Sequence, residues 1–317
     1  MILPAVLALS LCCSTQEPKV DPATVSSATV DVPAVAIDMV RAEIGPATRD
    51  LATVFGLREV LPFAVIVHIG GDELPRTLKA LHHEGSPGFT LLARREIHLL
   101  LRETAQNNRG LRTVLLHEVA HELLDQTCGR NGGRIPRWFH EGIAQLLAGD
   151  TYLGASEEMI VWRAATGQLT PFYELESRFP VGKLALSIAY AQSYSLVTWL
   201  SRSFGTEALL EMARAVDEDT TLEQAMVHQT GSSTEAIHER WRHHLVHGSG
   251  AAWRSVLSDF FPLFMVLILP VLAIAMIRRM SADQAARRRL LQQERDEAIR
   301  AAAAAAEPPP VQDAPQN

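Results

Sequence analysis

The chain has 317 residues, of which 47% are hydrophobic and 21% are charged, and its formal net charge is −7 at pH 7. This length and hydrophobic content are enough to bury a core, which excludes disordered, collagen-like and coiled-coil proteins. Nucleic-acid-binding proteins normally carry a basic face, and the central region has no broad basic run, so we expect no nucleic-acid partner. The three cysteines, Cys12, Cys13 and Cys128, are too few for a disulfide-stapled domain.

Residues 1–13 begin with a short apolar stretch and end in small and polar residues, which predicts a signal for export. The stretch lacks the basic residues that usually begin a signal peptide, and it fits a lipoprotein cleavage site poorly. An ordinary signal peptide is therefore favoured, and lipidation at Cys12 or Cys13 stays open as the alternative. Residues 14–34 are rich in Pro, Ser, Thr, Val and Ala without periodicity, and we expect them to form a linker.

Residues 35–248 form the predicted working domain, of α+β class, with a small mixed sheet followed by a helical part. A helix is predicted over residues 34–55. Three apolar runs of strand length follow it, at residues 63–69, 89–93 and 97–101. The hydrophobic period then becomes helical. It predicts helices, several with capping residues at both ends, over residues 111–127, 136–148, 156–166, 185–203, 206–216, 221–230 and 233–247.

One motif in this domain carries chemistry: the sequence HEVAH, which contains His117, Glu118 and His121 inside the helix predicted over 111–127. Residues four apart lie on the same helix face, so both imidazoles can bind one metal ion. Zinc suits histidine and carboxylate ligands in a tetrahedral site with one open position. Glu118 lies on the adjoining face, where it can act as general base for a water whose pKa the metal lowers.

A catalytic zinc site needs a third protein ligand from another element. Glu141 lies twenty residues after His121, in the block IPRWFHEGIA, where Pro136 suits the first turn of a helix. The neighbouring His140 is the competing third ligand, although adjacent helical residues point about 100° apart.

A second apolar segment follows the domain. Residues 256–277 include eighteen consecutive uncharged residues, which is about long enough to cross a hydrocarbon core of ~30 Å. Arginines predominate after this segment. The positive-inside rule therefore predicts a single-pass helix in the cell membrane, with the domain outside the cytoplasm, either periplasmic or on the cell surface. Residues 278–317 would then form a charged and Pro-rich cytoplasmic tail.

The order of HEVAH, a short loop and PRWFHEGIA resembles the gluzincin zinc metallopeptidases, and specifically the peptidase MA-like domain. The resemblance covers about residues 63–245 and is most specific at the two helices that carry these blocks. It implies that His117, His121 and Glu141 bind one zinc ion and that Glu118 is catalytic.

The resemblance extends to less specific elements. The strand-like residues 89–101 are similar to the family's edge strand, which binds substrate backbone in extended form. Tyr190 opens a block similar to the family's tyrosine-containing apolar helix. It is the implied hydrogen-bond donor to the oxyanion of the reaction intermediate, with Tyr194 as the alternative. A tyrosine that only packs, with its hydroxyl satisfied, is the competing interpretation.

One position departs from the thermolysin-like pattern. Those enzymes place an acid four residues after the third ligand, where it orients a zinc-binding histidine. Here that residue is Gln145, so another group must take this role. Glu122 and Asp125 follow the motif on its own helix and are candidates for this role, but we expect them instead to form a solvated face.

The sequence therefore predicts a membrane-anchored, extracytoplasmic zinc metallopeptidase that acts on a peptide or protein substrate, with no protein partner indicated. Two alternatives stay open. One is a catalytically silent zinc-site domain that binds peptide or cell-envelope material, and the other is a zinc hydrolase of a non-peptide amide. Glu118 favours an enzyme, since a purely structural zinc site has no use for it.

Overall fold

The structure is a computed structural model, and the residues it describes are 19–20, 23–29, 31–82, 85–106, 110–150, 156–177, 179–180, 182–248, 264–266, 268–280, 284 and 295. The chain divides into two units, Met1–Ala252 and Trp253–Asn317. The signal expected over residues 1–13 lies outside the described residues.

The first unit combines strands and helices, which confirms the predicted α+β class. Its strands in chain order are β1 (Lys19–Val20), β2 (Thr24–Ser27), β3 (Glu59–Val60), β4 (Ala64–His68), β5 (Gly88–Leu91) and β6 (Glu96–Leu100). Four of them form a mixed sheet in the order β2-β4-β6-β5, and β1 pairs with β3. Strands β2, β4 and β6 are parallel, whereas β5 runs antiparallel to β6 at the edge. The three predicted strands are confirmed, with ends within two residues of those expected.

Strand β2 differs from the expected linker over residues 14–34. Its four residues pair in parallel with β4, and Val25 lies opposite Val65 in the core. Val25 is the only buried residue of β2. A strand this short, with one inward side chain, shows no alternation in the sequence, so periodicity does not reveal it.

The helices of this unit agree with the pattern in the sequence. They are α1 (Ala34–Phe55), α2 (Arg76–Lys79), α3 (Leu101–Gln106), α4 (Leu111–Thr127), α5 (Arg137–Ala148), α6 (Glu157–Ala165), α7 (Phe172–Ser177), α8 (Lys183–Phe204), α9 (Thr206–Arg214), α10 (Leu222–Thr230) and α11 (Thr234–His247). Each predicted helix is confirmed, with ends within two residues. The helices α2, α3 and α7 were not predicted, because four to six residues are too few to show a helical period.

Helix α4, which carries the HEVAH motif, lies in the middle of the core and packs against α1, α5 and β5. Its apolar side chains are buried on several faces, among them Val114, Leu115 and Ala120. The polar residues of the motif are therefore held by a helix that cannot shift without disturbing the core.

Helix α5 approaches α8 so closely that a side chain at Gly142 has no room. A Cβ atom at this position would collide with the side chain of Val197 and lie 2.7 Å from the carbonyl oxygen of Ser193. Glycine thus sets the distance between the two helices, and this distance brings Tyr190 of α8 next to Glu141 of α5.

We expect Gly142→Ala to lower the free energy of unfolding by about 1–3 kcal/mol, because the added methyl group overpacks the interface between α5 and α8. The matched control is Gly45→Ala in α1, where the nearest atom is the Arg49 guanidinium at 3.6 Å. There alanine should stabilise the helix by up to ~1 kcal/mol. Urea denaturation of both variants measures the two effects, and a Gly142→Ala protein as stable as the parent would contradict the close approach.

In the second unit, residues 264–266 and 268–280 are helical and mostly exposed. Within the described part of the chain, no helix has both the length and the apolar content that a membrane span requires. Of the span expected over residues 256–277, residues 256–263 and 267 lie outside the described residues, as does most of the expected tail.

Candidate metal centre

Three side chains predicted as metal ligands meet at one point. His117 and His121 lie one turn apart on α4, and their Nε2 atoms are 3.2 Å apart. Glu141 of α5 places its Oε2 atom 3.5 Å from each of these nitrogens. The three ligand atoms all lie within 4.8 Å of one another, so the group can hold a metal ion.

The donor set fits a cation. Glu141 is buried, and its Oε2 atom accepts no hydrogen bond from any described residue. Burial alone would raise the pKa of Glu141, but the neighbouring imidazoles of His121 and His117 hold that pKa well below its usual value. A buried, ionised carboxylate oxygen that faces two imidazole nitrogens is a suitable ligand for zinc.

The other oxygen of Glu141 is held by two neighbours. The Tyr190 hydroxyl donates a hydrogen bond to Oε1 at 3.2 Å, and Arg137 Nε lies 3.5 Å from the same atom. The Arg137 guanidinium also lies over the ring of Phe179, 4.8 Å from its centre. With Oε1 held, Oε2 is directed at the histidines. Arg137 and Glu141 are four residues apart on a helix, a spacing from which sequence reasoning could have predicted their contact.

The two candidate tyrosines are in different places. Tyr190 is buried at the metal centre, whereas Tyr194 lines a separate cavity of about 120 Å³ with Trp199 and Trp241. The structure therefore brings Tyr190, and not Tyr194, to the predicted ligands.

His140, the competing third ligand, approaches His121 from the opposite side. Its Nδ1 atom lies 2.7 Å from His121 Nδ1, whereas His121 faces His117 and Glu141 through Nε2. Burial lowers the pKa of His140 to about 3, so this imidazole is neutral. Of the two candidate ligands on α5, Glu141 lies on the same side of the His121 ring as His117, whereas His140 lies on the other side.

Glu118 lies against the edge strand β5. The Thr90 hydroxyl donates to Glu118 Oε2 at 2.7 Å, and its oxygen lies 3.1 Å from the Glu118 carbonyl oxygen. A Cβ atom at Gly88 would lie 3.0 Å from Glu118 Oε1. Glycine and threonine at these positions therefore let the strand approach the carboxylate. No signal in the sequence pointed to this contact, because it joins residues 28 apart in different elements.

These groups share one cleft of about 530 Å³. The described residues that line it include the three candidate ligands, Glu118, Tyr190 and the residues of β5. Among the described strands, β5 pairs with β6 alone. The edge of the sheet, the carboxylate of Glu118 and the metal-binding group thus border the same space.

A family model of the peptidase MA superfamily matches residues 50–247. The chain belongs to the peptidase MA superfamily. The matched residues include the one strand and the three helices that carry the metal centre, namely β5, α4, α5 and α8. Membership supports a metallopeptidase-like domain, and the family typically binds zinc. A search of curated proteins finds no match.

The peptidase MA domain buries two acids that were expected on a solvated face, and that prediction is wrong. Glu122 and Asp125 are 0% and 2% exposed. Arg130 Nη1 lies 3.2 Å from Glu122 Oε1 and 2.9 Å from Asp125 Oδ2, and its Nη2 donates to the carbonyl oxygen of Leu92 at 2.8 Å. The loop after α4 folds back to bring this arginine to the acids, which a helical pattern cannot indicate.

This Arg130 network connects helix α4 to the end of the edge strand. Arg130 adopts a φ of 74°, a backbone conformation that residues other than glycine rarely take. Asp125 Oδ1 also accepts a hydrogen bond from the backbone N–H of Gly132 at 2.8 Å. The network therefore fixes the turn between α4 and α5 together with the strand beside Glu118.

We expect Arg130→Met to lower the free energy of unfolding by about 3–5 kcal/mol, because it removes the arginine that pairs with both buried acids. The matched control is Arg112→Met. Arg112 pairs with Glu43 and Asp50 at the surface, where the loss should stay below about 1 kcal/mol. Chemical denaturation at pH 7 measures both. Equal losses in the two variants would mean that the Arg130 network does not stabilise the domain.

Proposed function

We propose that this chain is a zinc metallopeptidase, anchored in a membrane through its C-terminal segment, which hydrolyses a peptide bond of a peptide or protein held along β5. The observation that carries the proposal is the meeting of three potential ligand atoms, the Glu118 carboxylate and an edge strand around one cleft. A purely structural zinc site needs neither the carboxylate nor the strand.

In this proposal His117, His121 and Glu141 hold the zinc ion. When bound, zinc supplies a Lewis acid that polarises a carbonyl group and lowers the pKa of water. Glu118 accepts the proton of the attacking water and passes it to the leaving amine. The hydrogen bond from Thr90 to Glu118 Oε2 fixes the orientation of this carboxylate before the substrate arrives.

Tyr190 is proposed as the donor to the oxyanion that develops on the scissile carbonyl. Its hydroxyl lies in the cleft and donates to Glu141 Oε1. Because a phenol has one proton to donate, this bond must break as the oxyanion forms. Arg137, which lies beside the same oxygen, then remains as its partner.

The edge strand supports a peptide as substrate. An extended peptide can add to a sheet edge through backbone hydrogen bonds, and β5 lines the cleft with its partner strand on one side only among the described strands. Thr90 belongs to this strand and contacts Glu118. The strand that would bind the backbone therefore also positions the general base.

The C-terminal segment supports the membrane anchor. Its described helical residues expose apolar side chains by 56–66%, including Leu269, Val271, Leu272, Ile274, Met276 and Ile277. Contiguous apolar surface of this kind is unfavourable in water and is covered by a bilayer or a partner. Arg278 and Arg279 follow, and the positive-inside rule assigns them to the cytoplasmic side.

Glu118→Gln tests the proposed chemistry. The amide keeps the size of the side chain but cannot accept a proton, so we expect peptide cleavage to slow by ~10²–10⁴-fold while zinc stays bound. His117→Ala and Glu141→Ala each remove a ligand, so activity should fall together with zinc content. The measurements are cleavage of a mixed peptide library and metal analysis of the same samples.

Two outcomes would contradict this mechanism. If Glu118→Gln cleaves as fast as the parent, Glu118 is not the general base. If the parent binds zinc but cleaves no peptide in the library, a catalytically silent zinc domain is the better description.

Reporter fusions test the anchor. A reporter joined after Arg289 should report a cytoplasmic location, and one joined before Ala251 should report an exported location. The reason is that the positive-inside rule keeps the arginines after Ile277 on the cytoplasmic side of the membrane. The control is a chain without residues 256–280, which should leave the membrane fraction. The reverse reporter pattern, or recovery of the intact chain in the soluble fraction, would overturn the anchor.

A further inference from the structure

The two ring nitrogens of His121 have different partners. Nε2 lies 3.2 Å from His117 Nε2 and 3.5 Å from Glu141 Oε2. Nδ1, on the other side of the ring, lies 2.7 Å from Nδ1 of His140. His121 therefore faces the metal-binding group with one nitrogen and His140 with the other.

The role of each nitrogen follows from the position of its proton. A nitrogen that binds a metal offers its lone pair, so binding through Nε2 leaves the proton of His121 on Nδ1. At 2.7 Å, one Nδ1 atom must donate and the other must accept. His121 is then the donor and His140 the acceptor, and the proton of His140 is on its Nε2 atom.

We propose that His140 is a positioning residue: its imidazole accepts a hydrogen bond from His121 and holds Nε2 of that ligand toward the metal. The inference rests on the proposed zinc centre. It assigns to the His140 imidazole the orientation of a metal-binding histidine, which an acid four residues after Glu141 would otherwise perform. In this chain that position is Gln145.

Gln145 has a different task. Its side-chain amide donates to the backbone carbonyl oxygens of Glu141 at 3.2 Å and Tyr190 at 3.1 Å. These two bonds use both hydrogens of the amide nitrogen. Gln145 thus joins α5 to α8, and the orientation of His121 is left to the residue that contacts its Nδ1 atom.

His140 and Glu141 are consecutive residues on α5, and they contact His121 on its two sides. One helix therefore supplies both a proposed ligand and the partner that orients a second ligand. Loss of the hydrogen bond would free the His121 ring to rotate. Removal of such a partner typically weakens metal affinity by about 10–100-fold.

The experiment compares zinc affinity in the full chain, purified in detergent, for His140→Leu and His140→Asn. Leucine fills the space without an acceptor, whereas asparagine can place its side-chain oxygen near the position of Nδ1. We expect His140→Leu to bind zinc about 10–100-fold more weakly in competition with a chelating dye, and His140→Asn to recover most of that loss. The visible spectrum of the Co²⁺-loaded proteins should change in the same order.

The matched control is His68→Leu. His68 is buried in the sheet, and its Nε2 lies 2.9 Å from His98 Nδ1, so the variant removes a buried bond between two histidines away from the metal centre. We expect lower thermal stability but the zinc affinity of the parent. Thermal unfolding of each zinc-free variant gives the folded fraction, to which the affinity is referred.

Each contrary result has its own meaning. A folded His140→Leu protein with the parent's zinc affinity overturns the positioning role, and equal losses for leucine and asparagine reduce His140 to packing. If the parent binds no zinc, the proposed function fails and this inference fails with it. If His140→Leu does not fold, ¹⁵N NMR of the zinc-loaded parent decides, because the proposal requires the His140 proton on Nε2 and is overturned if it is on Nδ1.

Discussion

A buried carboxylate between two histidines is the interaction on which the arrangement of this domain depends. Removal of Glu141 from water opposes its ionisation, and only partners close to both oxygens can offset that effect. The partners come from different elements: His117 and His121 from α4, Tyr190 from α8, and Arg137 from the first turn of α5. The three helices must therefore keep fixed distances.

The edge strand is tied to the same centre at two points. Thr90 contacts Glu118 near the middle of α4, and Arg130 joins the carbonyl oxygen of Leu92 to the acids at the end of that helix. A strand held at both points keeps a fixed distance from Glu118. In the proposed function this distance determines where a substrate backbone lies relative to Glu118.

The sequence predicted the parts of this centre that depend on local pattern. The spacing of His117 and His121 on one helix face, and the position of Glu141 in the next helix, follow from the helical period and from the family resemblance. The predicted helices and the three predicted strands follow from the hydrophobic pattern. The family match then confirmed the resemblance over residues 50–247.

What the sequence did not predict depends on contacts between distant residues. Strand β2 is recognisable only through its pairing with β4. The burial of Glu122 and Asp125 requires Arg130, which a loop returns to them. The bond between Thr90 and Glu118 requires the register of the sheet against α4. Periodicity describes one element at a time, and these contacts each join two.

Anomalous X-ray scattering at the zinc edge, from crystals of the zinc-loaded protein, tests the central claim most directly. The account predicts one peak per chain, ~2.0–2.2 Å from His117 Nε2, His121 Nε2 and a carboxylate oxygen of Glu141. A peak bound by His140 in place of Glu141, a peak at another group of histidines, or no peak at all would contradict it.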